Sequence, residues 1–252
     1  MMDEKGNSRN KTFGNTAFMP KEEHLETAVK YRKITIGIPN DYNDDEKRVA
    51  ITPESVSLLI DNGNEVIVQK GAGLGANYTD KDYSENGAVI TDSSSRVYSC
   101  DVVVKVAPFT EHDTEYLKGG QTVMSYLNVL KLSEETLNRL VRKKVTAIAF
   151  EKIKDSNGIM PVIESMSEIS GITSILIASD YLSNHHDGKG VMLGGITGVS
   201  PTQVVITGAN TAGEYAARAA IGLGSQVMIF DNSLEKLRRF QNLLGQRLQT
   251  SV

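Results

Sequence analysis

Two glycines and one acidic residue occur in an order that could hold the phosphates and a ribose of a dinucleotide. Gly208 and Gly213 lie in GANTAG, between the apolar run 204–206 and an Ala-rich stretch. Such a turn leads from a strand into a helix, whose unpaired first N–H groups attract a pyrophosphate. Asp231 ends a second apolar run, 18 residues after Gly213. A carboxylate there accepts hydrogen bonds from a ribose diol, so the pattern predicts an NAD-binding βαβ unit and favours NAD over NADP.

Asn210 stands where the middle glycine of G-x-G-x-x-G lets the backbone approach the pyrophosphate. Because Asn tolerates unusual backbone angles better than most residues, we expect the turn to survive with weaker binding. The alternative is a structural βαβ turn that needs its glycines only for packing.

Short apolar runs alternate with helical stretches through the first 150 residues, which predicts an open parallel sheet covered on both faces. The predicted strands are 33–38, 65–69, 88–90, 101–106, 121–127 and 145–149, and the predicted helices include 53–62, 80–86 and 133–143. Ligands bind beyond the carboxyl ends of strands in such sheets. The segments after Ile38, Val106 and Leu127 are therefore the places where we expect a site.

The predicted fold class is α/β, with three regions along the chain. Residues 1–30 are predicted to form a flexible polar tail, residues 31–160 a domain with an open parallel sheet, and residues 161–252 the start of an NAD-binding Rossmann domain. A helix predicted at 165–181 is apolar nearly all round, which implies burial between two layers. The pattern shows two strands of the second domain where a complete one has about six. We therefore expect the chain to be a fragment or a truncated product.

Composition narrows the function classes. The 252 residues carry a net charge of -4 without a long basic run, which argues against a nucleic-acid surface. Cys100 is the one cysteine, so an intrachain disulfide is excluded and a reducing compartment is favoured. No run of 18 apolar residues and no signal peptide is evident, so we expect a cytoplasmic protein without a membrane segment.

Several longer motifs occur in order. GIPNDYNDDEKRVAITP, EVIVQKGAGLGANYTDKDY, DVVVKVAP, MSEISG and VMLGGITGVSP resemble the alanine dehydrogenase and pyridine-nucleotide transhydrogenase family, and the similarity extends from Lys33 to Val252. The resemblance implies that residues 31–160 are a doubly wound, Rossmann-like substrate domain and that residues 161–252 begin the NAD-binding Rossmann domain. It places the active site in the cleft between the two. It also implies NAD-dependent oxidation of L-alanine or a similar small amino acid to the 2-oxo acid and ammonium, by a homo-oligomer.

Three substrate-site residues follow from the resemblance. Arg48 matches the carboxylate-binding arginine, whose planar fork suits a carboxylate; the alternative is a solvated loop charge. KVAP at 105–108 replaces Lys-Val-Lys-Glu-Pro, so Ala107 falls at the substrate-binding lysine. Lys105 could replace that lysine only by a register shift or a longer reach, and the alternative is a strand-end lysine held by a nearby acid. Asn128 replaces the catalytic histidine; it can hold a carbonyl but exchanges no proton near neutral pH.

The resemblance also assigns cofactor-binding roles, to Ser167, Gly208, Gly213, Asp231 and Lys236. Ser167 could instead be a helix cap or first-turn residue, and Lys236 an exposed helix lysine. We expect no metal site, since His185 and His186 lack a spaced third ligand. The residues KVAP and Asn128 favour a second alternative, a subunit like the NAD(H)-binding subunit of transhydrogenase. A third alternative is an inactive nucleotide-binding relative.

Overall fold

The computed structural model describes residues 33–41, 46–245 and 248–252. The predicted tail 1–30 lies outside the described residues. The α/β class is confirmed, with strands β1 Thr35–Ile38, β2 Glu65–Gln69, β3 Val89–Thr91, β4 Val102–Val104, β5 Thr122–Ser125, β6 Thr146–Ala149, β7 Gln203–Thr207, β8 Gln226–Phe230 and β9 Leu248–Ser251. The α-helices are α1 Pro53–Asp61, α2 Asp80–Glu85, α3 Ser94–Tyr98, α4 Glu111–Tyr116, α5 Glu134–Arg142, α6 Pro161–Leu182, α7 Thr211–Gly222 and α8 Leu234–Leu244.

The first sheet has six parallel strands in the order β3-β2-β1-β4-β5-β6, which confirms the doubly wound prediction. One face is covered by a cluster that includes Val56 and Tyr83, the other by a cluster that includes Val97 and Leu140. The chain leaves β1 toward one edge of the sheet and β4 toward the other. The carboxyl ends of β1 and β4 therefore form the topological switch point, where open α/β sheets bind ligands.

The second sheet is parallel and runs β7-β8-β9. The sequence pattern predicted β7 and β8 but missed β9, which pairs Leu248 with Val227 and Ser251 with Phe230. Leu248 is the one apolar residue of LQTS and is buried, so the segment carries too little periodicity to be recognised as a strand.

Helix α6 departs from the prediction in two respects. It begins at Pro161, because proline is well tolerated at the first helical position. The predicted burial between two layers is wrong, since only Gly171 and Ile175 are buried while Ile169 and Tyr181 are 57% and 69% exposed. A Cβ on Gly171 would lie 2.3 Å from the carbonyl oxygen of Ala212, so α6 and α7 cross very closely along one stripe. Helix α6 is long and apolar enough to cross a membrane, a test that the core helix of a soluble protein also passes.

Helices α3 and α4 are short, with five and six residues, and few of their positions are apolar, so they give no clear helical period. Both are fixed by their caps. The Ser93 hydroxyl accepts the N–H of Arg96, and Thr110 and Asp113 form a reciprocal capping box at α4. The cap of α4 places Asp113 under the carboxyl end of the first sheet.

Candidate functional site

An apolar cavity of about 400 Å³ opens at the switch point of the first sheet. It is lined by Arg48 after β1, Val104 at the end of β4, Lys105 directly after β4, Met124 on β5, and by Phe150, Val162 and Met166. An adjoining cavity of about 320 Å³ shares Arg48 and Met166 and adds Tyr126, Ser167 and Ser170. The predicted segment after Ile38 contributes Arg48 to this cleft, and the strand end at Val106 lines it as well. The predicted segment after Leu127 contributes no lining residue, whereas Tyr126, just before it, does. Val162 and Met166 bring α6 to the same cleft.

Arg48 and Ser167 both face this cleft. Ser167 is the seventh residue of α6, beyond its first turn, so the alternative reading as a helix cap is wrong. Since Arg48 was predicted for the substrate and Ser167 for the cofactor, the fold places these two groups within one site.

Arg48 is held by a neighbouring acid. Its Nε and Nη2 donate to the two carboxylate oxygens of Glu46 at 2.8 and 2.6 Å, and its Nη1 lies 3.3 Å from the Met166 sulfur. The hydrogen bond from Arg48 lowers the pKa of Glu46. A thioether sulfur is a weak acceptor. Nη1 is therefore a donor that faces the cleft and would gain from a better acceptor.

Lys105 is engaged elsewhere. The side chain is 3% exposed, and Nζ lies 2.8 Å from Oδ1 of Asp41 and 2.8 Å from Oδ2 of Asp113, above the Phe109 ring. This geometry supports the alternative of a strand-end lysine held by nearby acids and gives no support to Lys105 as the substrate lysine. A buried ammonium group with two carboxylates is a structural element of this edge of the sheet.

The two carboxylates beside Lys105 titrate differently. Burial raises the pKa of Asp41, although Lys105 and the N–H of Ala107 oppose the shift. Burial also acts to raise the pKa of Asp113, but Lys105 and hydrogen bonds from Tyr98 and the Thr110 N–H outweigh it, and the net shift is downward. Asp41 also accepts the N–H of Val106 at 3.1 Å, which ties the segment after β1 to the end of β4.

Asn128 ends the turn that follows β5, two residues after the cleft-lining Tyr126. Its φ of 42° lies in the left-handed region, which Asn adopts more readily than most residues. Glu151, 7% exposed, accepts the N–H of Leu127 at 3.2 Å and that of Asn128 at 2.9 Å. The sequence reasoning missed Glu151, whose partners lie more than twenty residues earlier.

The glycine turn between β7 and α7 has the geometry that the dinucleotide pattern requires. Gly208 has a φ of +103°, and a Cβ on Gly213 would lie 2.1 Å from the Gly208 carbonyl oxygen. Asp231 follows β8 and accepts the N–H of Ala209 at 2.7 Å and that of Ser233 at 2.8 Å, which lowers its pKa. The two glycines and the acid therefore meet at one edge of the second sheet, and these residues fit a dinucleotide.

Asn210 serves a purpose other than the predicted one. Its φ of -110° and ψ of -177° are ordinary extended angles, so the argument from unusual backbone angles is wrong. Its side-chain oxygen instead accepts the N–H of Gly213 at 2.9 Å and caps α7. Lys236, the other predicted cofactor residue, is exposed in the first turn of α8, and its charge contributes to the lowered pKa of Asp231.

Within the part of the chain that the structure describes, no cluster of three or more His, Cys, Asp or Glu side chains could hold a metal ion. The cleft and the glycine turn are therefore the two sites whose chemistry the described residues define.

Comparisons with known proteins match both halves of the chain. Residues 37–170 match the family profile described as Alanine dehydrogenase/PNT, N-terminal domain, and residues 174–252 match the corresponding C-terminal domain. Alanine dehydrogenase from Mycolicibacterium smegmatis is 38% identical over 85% of this chain, and that from Geobacillus stearothermophilus is 36% identical over the same share. The chain spans 58% of the length of each of these two relatives.

Solved structures give the same picture. An L-alanine dehydrogenase structure superposes with a TM-score of 0.80 at 35% identity, over 87% of this chain and 61% of the other. A transhydrogenase from Sinorhizobium meliloti superposes with a TM-score of 0.76 at 22% identity, over 86% of this chain and 64% of the other, and this likeness concerns the fold alone.

Proposed function

The chain belongs to the alanine dehydrogenase/PNT family, and on that premise we propose that it acts as an NAD-dependent oxidoreductase of the alanine dehydrogenase type. Its substrate is L-alanine or a similar small amino acid, which together with water and NAD gives the 2-oxo acid, ammonium and NADH. The observation that carries this proposal is the position of Arg48, at the switch point of the first sheet and in the same cleft as Ser167.

Arg48 would bind the substrate carboxylate. Glu46 fixes the guanidinium through two hydrogen bonds, which leaves Nη1 directed at the sulfur of Met166. A carboxylate is a far stronger acceptor than a thioether, and hydrogen bonds between charged partners are roughly twice as strong as neutral ones. The apolar lining from Val104, Met124 and Phe150 suits a short aliphatic side chain.

Bound NAD would supply the hydride acceptor for the substrate Cα. Gly208 and Gly213 would let the backbone approach its pyrophosphate, and Asp231 would accept its ribose hydroxyls. Ser167 would face the cofactor from α6, and Lys236 would lie near the adenosine or phosphate edge. Each of Asp231's oxygens already accepts one N–H, but a carboxylate oxygen has two lone pairs and can accept another bond.

Asn128 favours a second candidate function. An amide exchanges no proton near neutral pH, so a dehydrogenase would need another group in the cleft to protonate or deprotonate the substrate. A transhydrogenase-like subunit that binds NAD(H) and leaves the remaining chemistry to a partner has no such need. The structure adds that Lys105 is bound by two carboxylates and is not available to the substrate in this arrangement.

Location and assembly complete the proposal. We infer a cytoplasmic protein, since the single cysteine Cys100 favours a reducing compartment, and a homo-oligomer, as the family resemblance implies. The apolar face of α6, exposed at Ile169, Leu176 and Tyr181, is consistent with a surface that another element or subunit covers.

The two functions differ in a direct assay. The dehydrogenase proposal predicts NADH formation from NAD and L-alanine, and a KM for the amino acid that rises about 100-fold in Arg48→Met because charged hydrogen bonds are lost. Arg48→Lys should recover only part of this loss, since an ammonium group lacks the planar fork. Arg96→Met, on α3, serves as a control for the loss of a surface arginine.

If the full-length protein turned over neither L-alanine nor any other small amino acid, the dehydrogenase proposal would fail. NADH binding without such turnover would instead favour the transhydrogenase-like subunit. Equal KM values for wild type and Arg48→Met would remove Arg48 from the substrate site.

A further inference from the structure

One N–H group of the glycine turn, residues 208–213, is hydrogen-bonded to a side chain of the turn itself. The Asn210 side-chain oxygen accepts a hydrogen bond from the N–H of Gly213 at 2.9 Å. This N–H lies at the helix start, where the dinucleotide pattern places a pyrophosphate. In the usual pattern a glycine at this position leaves that space open. Here the space holds a side chain with an acceptor of its own.

A second side chain reaches the same turn from α6. Glu164, in the first turn of α6, accepts the hydroxyl hydrogen of Thr211 at 2.9 Å, and Thr211 is the first residue of α7. The nearby Glu214 is compensated by Arg218 at 2.6 Å and Arg239 at 3.6 Å. In the described part of the chain, Glu164 has no basic partner in an ion pair. An uncompensated carboxylate therefore lies beside the pyrophosphate position.

We propose that Asn210 and Glu164 hold the glycine turn in a self-capped state and thereby set a low affinity for the pyrophosphate of the dinucleotide. This inference rests on the proposed function, because it concerns how the NAD site is tuned. A pyrophosphate must displace the Asn210 oxygen from the Gly213 N–H and approach the negative charge of Glu164. The first effect is competition for a donor and for space; the second is repulsion between like charges.

The test separates the pyrophosphate from the rest of the cofactor. Dissociation constants are measured by titration calorimetry for NADH, for ADP-ribose, which keeps the pyrophosphate, and for adenosine, which lacks it. The proteins are wild type, Asn210→Gly and Glu164→Gln, with Glu85→Gln on α2 as the charge control. Both variants should fold, since glycine is also a good N-cap and glutamine can still accept the Thr211 hydrogen bond.

Glu164→Gln should tighten NADH and ADP-ribose by about tenfold at low salt, and the gain should shrink at high salt because the repulsion is screened. Asn210→Gly should tighten both ligands as well, and with little dependence on salt. Adenosine binding should not change in either variant, and Glu85→Gln should bind all ligands as wild type does.

Unchanged or weaker NADH binding by both variants would overturn the inference while leaving the proposed function intact, and so would equal tightening of adenosine. If no variant and no wild-type protein bound NADH or ADP-ribose, the proposed function itself would fail and the inference with it.

Discussion

The carboxylate of Glu151 accepts the backbone N–H of Asn128, with Oε1 2.9 Å from the nitrogen, and accepts the N–H of Leu127 through its other oxygen. Asn128 occupies the left-handed region at a φ of 42°. One buried acid on the segment after β6 therefore fixes the turn after β5, which leads out of the cleft.

Removing that acid should destabilise the fold. In Glu151→Ala two N–H groups lose their acceptor, one of them fully buried, and we expect the free energy of unfolding to fall by about 2 kcal/mol. Urea denaturation measures the change, with Glu134→Ala, at an exposed position of α5, as the control. Equal midpoints for Glu151→Ala and Glu134→Ala would show that Glu151 does not hold the turn.

A larger loss is expected for Lys105→Met. The variant leaves Asp41 and Asp113 buried without a cation, and breaking a buried pair in this way costs about 3–5 kcal/mol. Without Lys105, burial would raise the pKa of both acids above the ordinary value of 3.8. The variant's loss of unfolding free energy is then present at pH values above the raised pKa values of Asp41 and Asp113. It disappears as the pH falls toward 3.8, because both acids become protonated. Urea midpoints across this pH range test the prediction, and a deficit that stays constant with pH would contradict it.

Asp101 should contribute to acid sensitivity. The Thr35 N–H, the Lys118 ammonium group and the Thr35 hydroxyl lower its pKa to about 2. Because this pKa is depressed, Asp101 contributes to the free energy of unfolding above the unfolded value of 3.8. This contribution is lost as pH falls from 3.8 through 2. Thr35→Val removes one donor and should move this loss to higher pH. Identical pH profiles for wild type and Thr35→Val would contradict the assignment.

Helix α7 offers a matched pair of glycines. A Cβ on Gly213 would lie 2.1 Å from the Gly208 carbonyl oxygen, while one on Gly222 would meet nothing within 4 Å. Gly213→Ala should therefore lower the free energy of unfolding by about 1–3 kcal/mol and weaken NADH binding. Gly222→Ala should raise it by about 0.4–1 kcal/mol, because the unfolded chain loses freedom. Thermal denaturation compares the two, and a stable Gly213→Ala would show that the turn does not need its close approach.

The parts of this molecule that were predictable are those encoded by local order. Gly208, Gly213 and Asp231 lie within one βαβ unit, so their spacing alone indicated that they meet. The strands of the first sheet alternate with helices regularly enough to give its doubly wound order. The joint position of Arg48 and Ser167 came from the family resemblance, because no periodicity connects residues so far apart.

The remaining features depend on distant partners. Glu151 bonds to a turn more than twenty residues earlier, and Asp41 meets Lys105 only because β1 and β4 are neighbours. Single polar residues in loops carry no periodic signal that would reveal such pairs. The apolar composition of α6 predicted burial, yet its packing is confined to the stripe around Gly171. Composition gives a helix's tendency to be covered but not the element that covers it.

The most direct test of the central claim, a dinucleotide site built on Asp231, is titration of the protein with NADH and NADPH. The account predicts tighter binding of NADH, because a carboxylate accepts the ribose diol and repels a 2′-phosphate. In Asp231→Asn, NADH affinity should fall about tenfold or more, because charged hydrogen bonds are lost. The ratio of the NADPH dissociation constant to the NADH dissociation constant should become smaller than in the wild type. Equal affinities of the wild type for the two dinucleotides, or NADH binding by Asp231→Asn that matches the wild type, would contradict it.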